Sequence, residues 1–145
     1  MLREMIKQHE GLRLKPYQCS AGRWTIGWGH NLEAHGKPNP ESISLEEAEK
    51  LLDQDITNAV KQCENYLPYF NTLSEARKAV LIDMCFNLGI HGLIQFRKMF
   101  ENINHGMFTS AAGEMLNSKW ATQVGNRANR LSNMMAYDKW PEDIL

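Results

Sequence analysis

Residues 10–30 have the sequence EGLRLKPYQCSAGRWTIGWGH, and their pattern changes from that of a helix to that of a short antiparallel hairpin. Trp24, Ile26 and Trp28 alternate with other residues, which is typical of a strand, and the segment SAGR before them has turn composition. Gly11 suits the position just past the end of a helix. The stretch therefore predicts that a helix ends at its first residue and that a small hairpin follows.

The segments on either side of this stretch are predicted from their spacing and composition. Upstream, Leu2, Met5 and Ile6 have helical spacing, which predicts a first helix over residues 2–10. Downstream, the segment NLEAHGKPNPES, residues 31–42, has the composition of a loop.

The rest of the chain has the periodicity of a helical protein. Ser44 and Glu47 have the spacing of a capping box, and an apolar stripe follows in SLEEAEKLLDQDITNAV, which predicts a long helix. Another helix begins at Ser74, is apolar nearly all round as a central buried helix would be, and ends at Gly89. Shorter helices are predicted over residues 91–103, 107–116 and 125–136. The predicted fold class is α+β, mainly α, in a single domain over residues 1–145.

The composition excludes several classes of protein. A net charge of −1 over 145 residues argues against a dedicated nucleic-acid binder. No run of about 18 apolar residues occurs, so no membrane span is expected, and the opening MLREMIKQHE lacks the apolar core of a secretory signal. The three cysteines are an odd number without metal-like spacing, which argues against a disulfide framework and a zinc site.

The charges are unevenly distributed along the chain. Residues 1–40 carry 6 basic and 3 acidic side chains, whereas residues 41–85 carry 4 basic and 9 acidic ones. The first segment is therefore the one expected to face an anionic polymer. A random fluctuation of surface charge explains such small counts equally well, and both interpretations stay open.

Glu10 is the first candidate for chemistry. A glycosidase needs a carboxylic acid that protonates the leaving oxygen, and the negative end of the helix macrodipole favours the protonated form at this position. A solvent-exposed helix glutamate is the alternative interpretation. Thr25 lies on the predicted strand, where its hydroxyl either holds a water molecule or merely accompanies a good strand former. His30 is either a catalyst or a structural histidine that bonds Asp55 on the long helix.

Several motifs carry a resemblance to a known family. They are E-G-L-R-L-x-x-Y, then Cys19, then T-I-G-W-G-H in residues 10–30, E-A-E-K-L-L-D-Q-D from Glu47, M-C-F-N-L-G from Met84, and W-A-T-Q-V-G-N-R-A-N-R from Trp120. In this order and spacing the chain resembles the phage-type lysozymes of the T-even phages over nearly its whole length. One departure matters, because the family has an aspartate at the position of Cys19.

The resemblance implies a fold, an activity and a context. It implies a lysozyme-like fold in which a hairpin lobe, roughly residues 12–55, and a helical lobe, residues 1–11 and 56–145, flank a cleft. It implies a muramidase that hydrolyses β-1,4 bonds between N-acetylmuramic acid and N-acetylglucosamine in bacterial peptidoglycan. No metal or cofactor is implied, and we expect a monomer without nucleic-acid or membrane partners. The enzyme is expected to be made in the host cytoplasm and released by a holin.

The resemblance also implies roles for single residues. Glu10 matches the catalytic acid, Thr25 matches a threonine near the nucleophilic water, and Cys19 takes the place of the aspartate. Arg127 matches an arginine that pairs with the glutamate, and His30 with Asp55 matches a structural ion pair. The residues expected to bind the sugar are Asn31, Phe86, Asn87 and Trp120. Met99 and Glu114 replace polar residues of the family, and the loop between His30 and Ser44 is shorter.

Cys19 leaves the mechanism open. A thiol has a reference pKa of about 8.5, so only a few per cent is ionised near neutrality. Three interpretations follow: Cys19 positions water or stabilises charge, or Glu10 and Thr25 suffice without it, or catalysis is lost and the domain only binds glycan. A further class is a cysteine-dependent amidase or peptidase in which Cys19 and His30 form a nucleophilic pair.

Overall fold

The computed structural model describes residues 1–35 and 38–145. The helices are α1 (Leu2–Glu10), α2 (Leu45–Tyr66), α3 (Glu75–Leu93), α4 (Arg97–Asn104), α5 (Phe108–Leu116), α6 (Lys119–Val124) and α7 (Asn126–Tyr137). The strands are β1 (Arg13–Gln18), β2 (Trp24–Gly27) and β3 (His30–Asn31), and 3-10 turns span Leu32–His35 and Phe70–Thr72. The predicted fold class, a mainly helical α+β chain with a small sheet, is confirmed.

The contacts divide the chain into two compact units. The N-terminal unit is Leu2–Asn58, and the C-terminal unit is Ala59–Leu145 together with Met1, so the boundary falls within α2. The expected grouping placed residues 1–11 with the later helices, whereas the contacts place α1 in the same unit as the sheet.

The sheet is antiparallel and has β2 at its centre, in the order β1-β2-β3. Tyr17 pairs with Thr25 across β1 and β2, and Thr25 pairs with Asn31 across β2 and β3. The predicted hairpin turn is confirmed, because Cys19 N donates to Arg23 O at 2.9 Å and closes the loop between β1 and β2. This loop and the short turn after β2 are the parts of the unit that position candidate residues.

Burial along β2 differs from the simple alternation that the tryptophans predicted. Thr25 and Ile26 are both buried, although they are consecutive and project to opposite faces, and Trp24 is 40% exposed. Trp24 is exposed because it lies at the end of β2 beside the hairpin loop, where it pairs with Gln18 at the end of β1.

Two kinds of contact hold α1 in the N-terminal unit: burial of apolar side chains on one face of the helix and contacts of a charged side chain on another. Met5 and Ile6 are fully buried, as the helical spacing predicted. On the charged side, Lys7 Nζ lies 2.9 Å from Glu49 Oε1 on α2 and 4.4 Å from the centre of the Trp28 ring. These contacts attach the helix that ends in Glu10 both to α2 and to the strand region.

The segment predicted as a loop contains a turn of 3-10 helix at Leu32–His35. Its start is capped by the Asn31 side chain, whose Oδ1 accepts from Glu33 N at 2.9 Å, and composition alone did not reveal this. Residues 36 and 37 of the segment lie outside the described residues. The capping box before α2 is confirmed, because Glu47 N donates to Ser44 Oγ at 3.1 Å and Ser44 N donates back to Glu47 Oε1 at 3.2 Å.

The C-terminal unit is built around α3 and α7. Ser74 caps α3 as predicted, and Gly89 interrupts the helix at φ 74°, where a side chain would strain the backbone. α7 packs against α3, α5 and α6, and α5 packs against α4. The prediction of a helix from residue 91 was wrong in its start, since α4 begins at Arg97, and α6 was missed because six residues are too few to show periodicity.

Within the described residues, no single helix is both long and apolar enough to cross a membrane. One bent pair, α3 with α4 at an angle of 110°, meets the length and composition criteria only when the two helices are taken together.

Candidate active site

Glu10 is the last residue of α1, and its half-buried side chain lies against the backbone of Gly29. The helix ends there because Gly11 N closes the last turn on Lys7 O at 2.9 Å, with Gly11 at a φ of 71°. Gly29 belongs to the turn between β2 and β3. The candidate acid is therefore placed at the point where the first helix meets the sheet.

Tyr17 lies within electrostatic range of both Glu10 and Cys19. Burial raises the pKa of its hydroxyl above the usual value, and the negative charges of Glu10 and Cys19 raise it further, against the opposing charge of Arg13. The Arg13 guanidinium stacks 4.7 Å from the centre of the Tyr17 ring. Tyr17 was not among the candidates predicted from the sequence, although its place in the E-G-L-R-L-x-x-Y motif was an available signal.

Cys19 stands at the start of the hairpin loop with its thiol partly exposed. Burial acts to raise the pKa of this thiol, but hydrogen bonds from the backbone of Arg23 and Ala21, from the Thr25 hydroxyl, and the charge of Arg23 outweigh burial and lower the pKa below its usual value. The loop therefore stabilises a negative charge on the sulfur, where the resemblance places a carboxylate.

We expect iodoacetamide to alkylate Cys19 with a half-maximal rate at a pH below the value of about 8.5 for a free thiol, because the thiolate is the reacting species. Thr25→Val removes a hydrogen bond to the sulfur and should move this midpoint upward. Cys63 and Cys85 are buried and should react slowly, so Cys19→Ser provides the background. A midpoint at or above that of a free thiol would contradict the stabilised thiolate.

The lowered pKa of Cys19 also determines how the stability of the fold changes with pH. Since the folded-state pKa of Cys19 lies below the unfolded value, the thiolate stabilises the fold above the unfolded pKa, and this contribution is lost as pH falls through the folded pKa.

The Thr25 side chain is buried and holds the hairpin loop. Its Oγ1 donates to Arg23 O at 2.9 Å, and the same hydroxyl also interacts with the Cys19 sulfur. A hydroxyl has one hydrogen to donate, so these two acceptors compete for it. Thr25 therefore couples the shape of the loop to the charge on Cys19, and its predicted contact with a water molecule stays a prediction.

The contact expected between His30 and Asp55 is present. His30 Nδ1 lies 2.8 Å from Asp55 Oδ2, and the imidazole is 8% exposed. The contact ties the end of the β2–β3 turn to α2, in the N-terminal unit.

We expect a coupling of about 1 kcal/mol between His30→Asn and Asp55→Asn in the free energy of unfolding, because contacting residues of one partly buried pair do not contribute independently. Chemical denaturation of the wild type, both single variants and the double variant measures it. The exposed pair Lys50–Glu46, at 3.9 Å, is the control and should give a coupling near zero. Strictly additive effects at His30 and Asp55 would show that the contact does not stabilise the protein.

In the C-terminal unit, Arg127 has a partner that the sequence analysis missed. Its Nε donates to Asp83 Oδ1 at 2.8 Å, and both residues are buried. Asp83 was detectable in principle, because a carboxylate in a helix that is apolar nearly all round requires a cationic partner. The pairing of Arg127 with Glu10 that the resemblance implies stays a prediction.

The residues expected to bind sugar differ in how far their side chains are exposed to solvent. Trp120 is buried, its indole N–H donates to Asn87 Oδ1 at 2.7 Å, and its ring meets that of Phe96 edge-on at 5.9 Å. Asn87 is exposed and Phe86 is half-buried. Trp120 therefore orients the amide of Asn87, while Asn31 uses its side-chain oxygen to cap the 3-10 turn. Among the described residues, no group of three or more His, Cys, Asp and Glu side chains has an arrangement that could hold a metal ion.

Comparison with known proteins gives one consistent family. The sequence profile of the family described as phage lysozyme matches residues 7–135. The "Probable T4-type lysozyme 2" of Dictyostelium discoideum is 30% identical, with 90% of each chain covered. An "Endolysin" of Acyrthosiphon pisum secondary endosymbiont phage 1 is 32% identical over 81% of this chain and 75% of the relative. The "Pre-baseplate central spike protein Gp5" of Enterobacteria phage T4 is 28% identical over 89% of this chain but only 26% of its own length.

Proposed function

Because the chain belongs to the phage lysozyme family, and is thereby a lysozyme-type hydrolase of peptidoglycan, we propose that it is a muramidase with Glu10 as its general acid. The bond that it cleaves is the β-1,4 bond between N-acetylmuramic acid and N-acetylglucosamine. The names of the relatives support action on the cell wall. Neither the bond nor the roles of the site residues depend on a metal in this proposal.

The observation that carries the proposal is the place of Glu10, whose carboxyl group lies against Gly29 at the end of α1. The hairpin loop between β1 and β2 stabilises a negative charge on Cys19. The charges of Glu10 and Cys19 both act to raise the pKa of Tyr17, so each lies within electrostatic range of that hydroxyl. Acid-catalysed cleavage of a glycoside needs a proton donor and a negative charge near the developing positive charge, and Glu10 and Cys19 are the candidates for these roles.

The proposed mechanism follows from these two groups. Protonated Glu10 donates its proton to the glycosidic oxygen as the bond to the anomeric carbon breaks, and positive charge develops on the sugar ring. The Cys19 thiolate stabilises that charge or orients the attacking water, with the hydroxyl of Thr25 at the same sulfur. Water then adds to the anomeric carbon and releases a proton to bulk water, which leaves a new reducing end. Glu10 takes up a proton from bulk water before the next cycle.

Cys19→Ala should lower the rate of hydrolysis by more than about tenfold, which corresponds to about 1.4 kcal/mol of barrier, and Cys19→Asp should recover or exceed the wild-type rate. The reason is that an ionised carboxylate opposes developing positive charge better than a partly ionised thiol does. Rates of turbidity loss of purified cell walls measure the effect. Cys19→Asp with less activity than Cys19→Ala would show that the loop has adapted to sulfur.

A cysteine-dependent amidase or peptidase is the second candidate, and the geometry favours it less. The backbone of Arg23 and Ala21, the Thr25 hydroxyl and the charge of Arg23 act on the Cys19 sulfur, and the His30 Nδ1 lies 2.8 Å from Asp55 Oδ2. A nucleophilic cysteine requires its histidine within hydrogen-bonding reach of the sulfur.

The products of digestion test the proposed function. Incubation of the protein with purified peptidoglycan should release new reducing sugars and no new amino groups. New amino groups would assign the amidase or peptidase. Binding to the glycan without either product would assign the third interpretation, a non-catalytic domain that binds peptidoglycan.

A further inference from the structure

The carboxyl group of Glu10 and the backbone of Gly29 are in closer contact than any other residue at position 29 would allow. A Cβ atom added to Gly29 would lie 2.7 Å from Glu10 Cδ, closer still to Oε1, and 3.2 Å from Cγ. Real Cβ atoms essentially never approach another heavy atom to less than 3.0 Å. With any side chain at position 29, the Glu10 carboxyl group would have to move.

Two other glycines, Gly27 and Gly106, allow the effect of this contact to be separated from the effect of backbone strain. Gly29 has a φ of 72°, a conformation that side chains disfavour, and Gly27 and Gly106 share it with φ values of 66° and 71°. A Cβ on Gly27 would meet its nearest heavy atom, Ala48 Cβ, at an ordinary 3.6 Å, and one on Gly106 would meet nothing within 4 Å. The three positions therefore share a positive φ, and only Gly29 adds a clash with Glu10.

Both sides of the contact are attached to the same helix. The segment that carries Glu10 is tied to α2 by Lys7 and Glu49, and the turn that carries Gly29 is tied to α2 by His30 and Asp55. Movement of α1 would disturb the contact between Lys7 and Glu49, and movement of the turn would disturb the contact between His30 and Asp55. Packed elements of this kind resist small displacements. A new atom at position 29 would therefore displace the flexible Glu10 side chain.

We propose that Gly29 is a positioning residue for Glu10. Because Gly29 has no side chain, the Glu10 carboxyl group packs directly against its Cα, and this contact fixes the position of the carboxyl group. The contact between His30 and Asp55 holds the turn that carries Gly29 against α2. The inference rests on the proposed function of Glu10 as the acid. A catalytic group displaced by about 1 Å loses about 100-fold in rate, so the effect of a small clash on catalysis should be large.

Activity is the first test. Gly29→Ala should lower kcat by about 100-fold on soluble peptidoglycan fragments that contain N-acetylmuramic acid while changing KM much less, because the proton donor moves and the rest of the site does not. Gly27→Ala and Gly106→Ala have comparable backbone strain and should keep kcat within a few fold of the wild type. Equal losses in all three variants, or a Gly29→Ala enzyme with wild-type kcat, would overturn the positioning role.

The second test uses the position of the carboxyl group and does not depend on catalysis. In a crystal structure of Gly29→Ala, the Glu10 carboxyl group should lie away from position 29, because it is the far end of a flexible side chain and the added Cβ would be closer than 3.0 Å to it. In Gly27→Ala the carboxyl group should keep its wild-type place. An unmoved carboxyl group in Gly29→Ala would overturn the inference, even if Glu10 proves to be the acid. If Gly29→Ala does not fold, Asp55→Asn takes its place in the kcat measurement, with wild-type kcat as the contradicting result. Wild-type activity of Glu10→Gln would instead refute the proposed function and leave the structural result unaffected.

Discussion

Glu10→Gln is expected to lower the rate of peptidoglycan hydrolysis by about 10²–10⁴-fold or more and to leave the fold intact. The amide has nearly the shape of the carboxyl group, so it can occupy the place against Gly29 that the wild-type side chain occupies. It cannot deliver a proton to the glycosidic oxygen, and loss of the general acid acts directly on the bond-breaking step. Clearing of a cell-wall suspension measures the rate, and circular dichroism with a thermal scan checks the fold.

Glu4→Gln is the matched control for this variant. Glu4 lies on the same helix, is exposed, and undergoes the same chemical change. We expect Glu4→Gln to clear cell walls at the wild-type rate. If Glu10→Gln also clears them near that rate, Glu10 is not the general acid.

Asp83→Ala is expected to have the largest effect on stability, about 3–5 kcal/mol in the free energy of unfolding. Asp83 is fully buried on α3, and its Oδ1 accepts from Arg127 Nε at 2.8 Å. Removing the carboxylate leaves a buried guanidinium without this counter-charge, and that desolvated charge dominates the loss. At roughly 2–4 °C for each kcal/mol in a protein of this size, Tm should fall by about 10 °C.

Asp143→Ala provides the comparison on the surface. Asp143 pairs with Arg130 at 3.1 Å, but its side chain is 53% exposed, so the pair is screened by water. Its removal should cost less than about 1 kcal/mol. Denaturant titrations of both variants give the two values, and a cost below 1 kcal/mol for Asp83→Ala would contradict the buried ion pair.

The parts of the fold that the sequence predicted correctly are those with local signals. The capping box of Ser44 and Glu47, the cap of Ser74 and the break at Gly89 each depend on a few neighbouring residues, and the structure has all of them. The hairpin is also local, because its turn and its two strands lie within residues 13–27. The signal that identified Glu10, Cys19 and Thr25 as a set was likewise a short stretch of sequence.

What the sequence did not predict depends on contacts between distant segments. Asp83 meets Arg127 across 44 residues, and Glu10 meets Gly29 only because α1 folds back on the turn after β2. The lowered pKa of Cys19 arises from the loop closing on its sulfur, which no residue type reveals alone. Periodicity and composition describe single elements, whereas these features depend on how elements pack.

The identity of the new sugar terminus shows which bond the enzyme cleaves and whether Glu10 is needed to cleave it. Peptidoglycan digested by the wild type is reduced with borohydride, hydrolysed, and analysed for the reduced amino sugar. We expect N-acetylmuramic acid as the reduced sugar, formed by the wild type and not by Glu10→Gln. Reduced N-acetylglucosamine would contradict the assigned bond, a non-reducing anhydro terminus would show that water is not the nucleophile, and equal product from Glu10→Gln would contradict the role of Glu10.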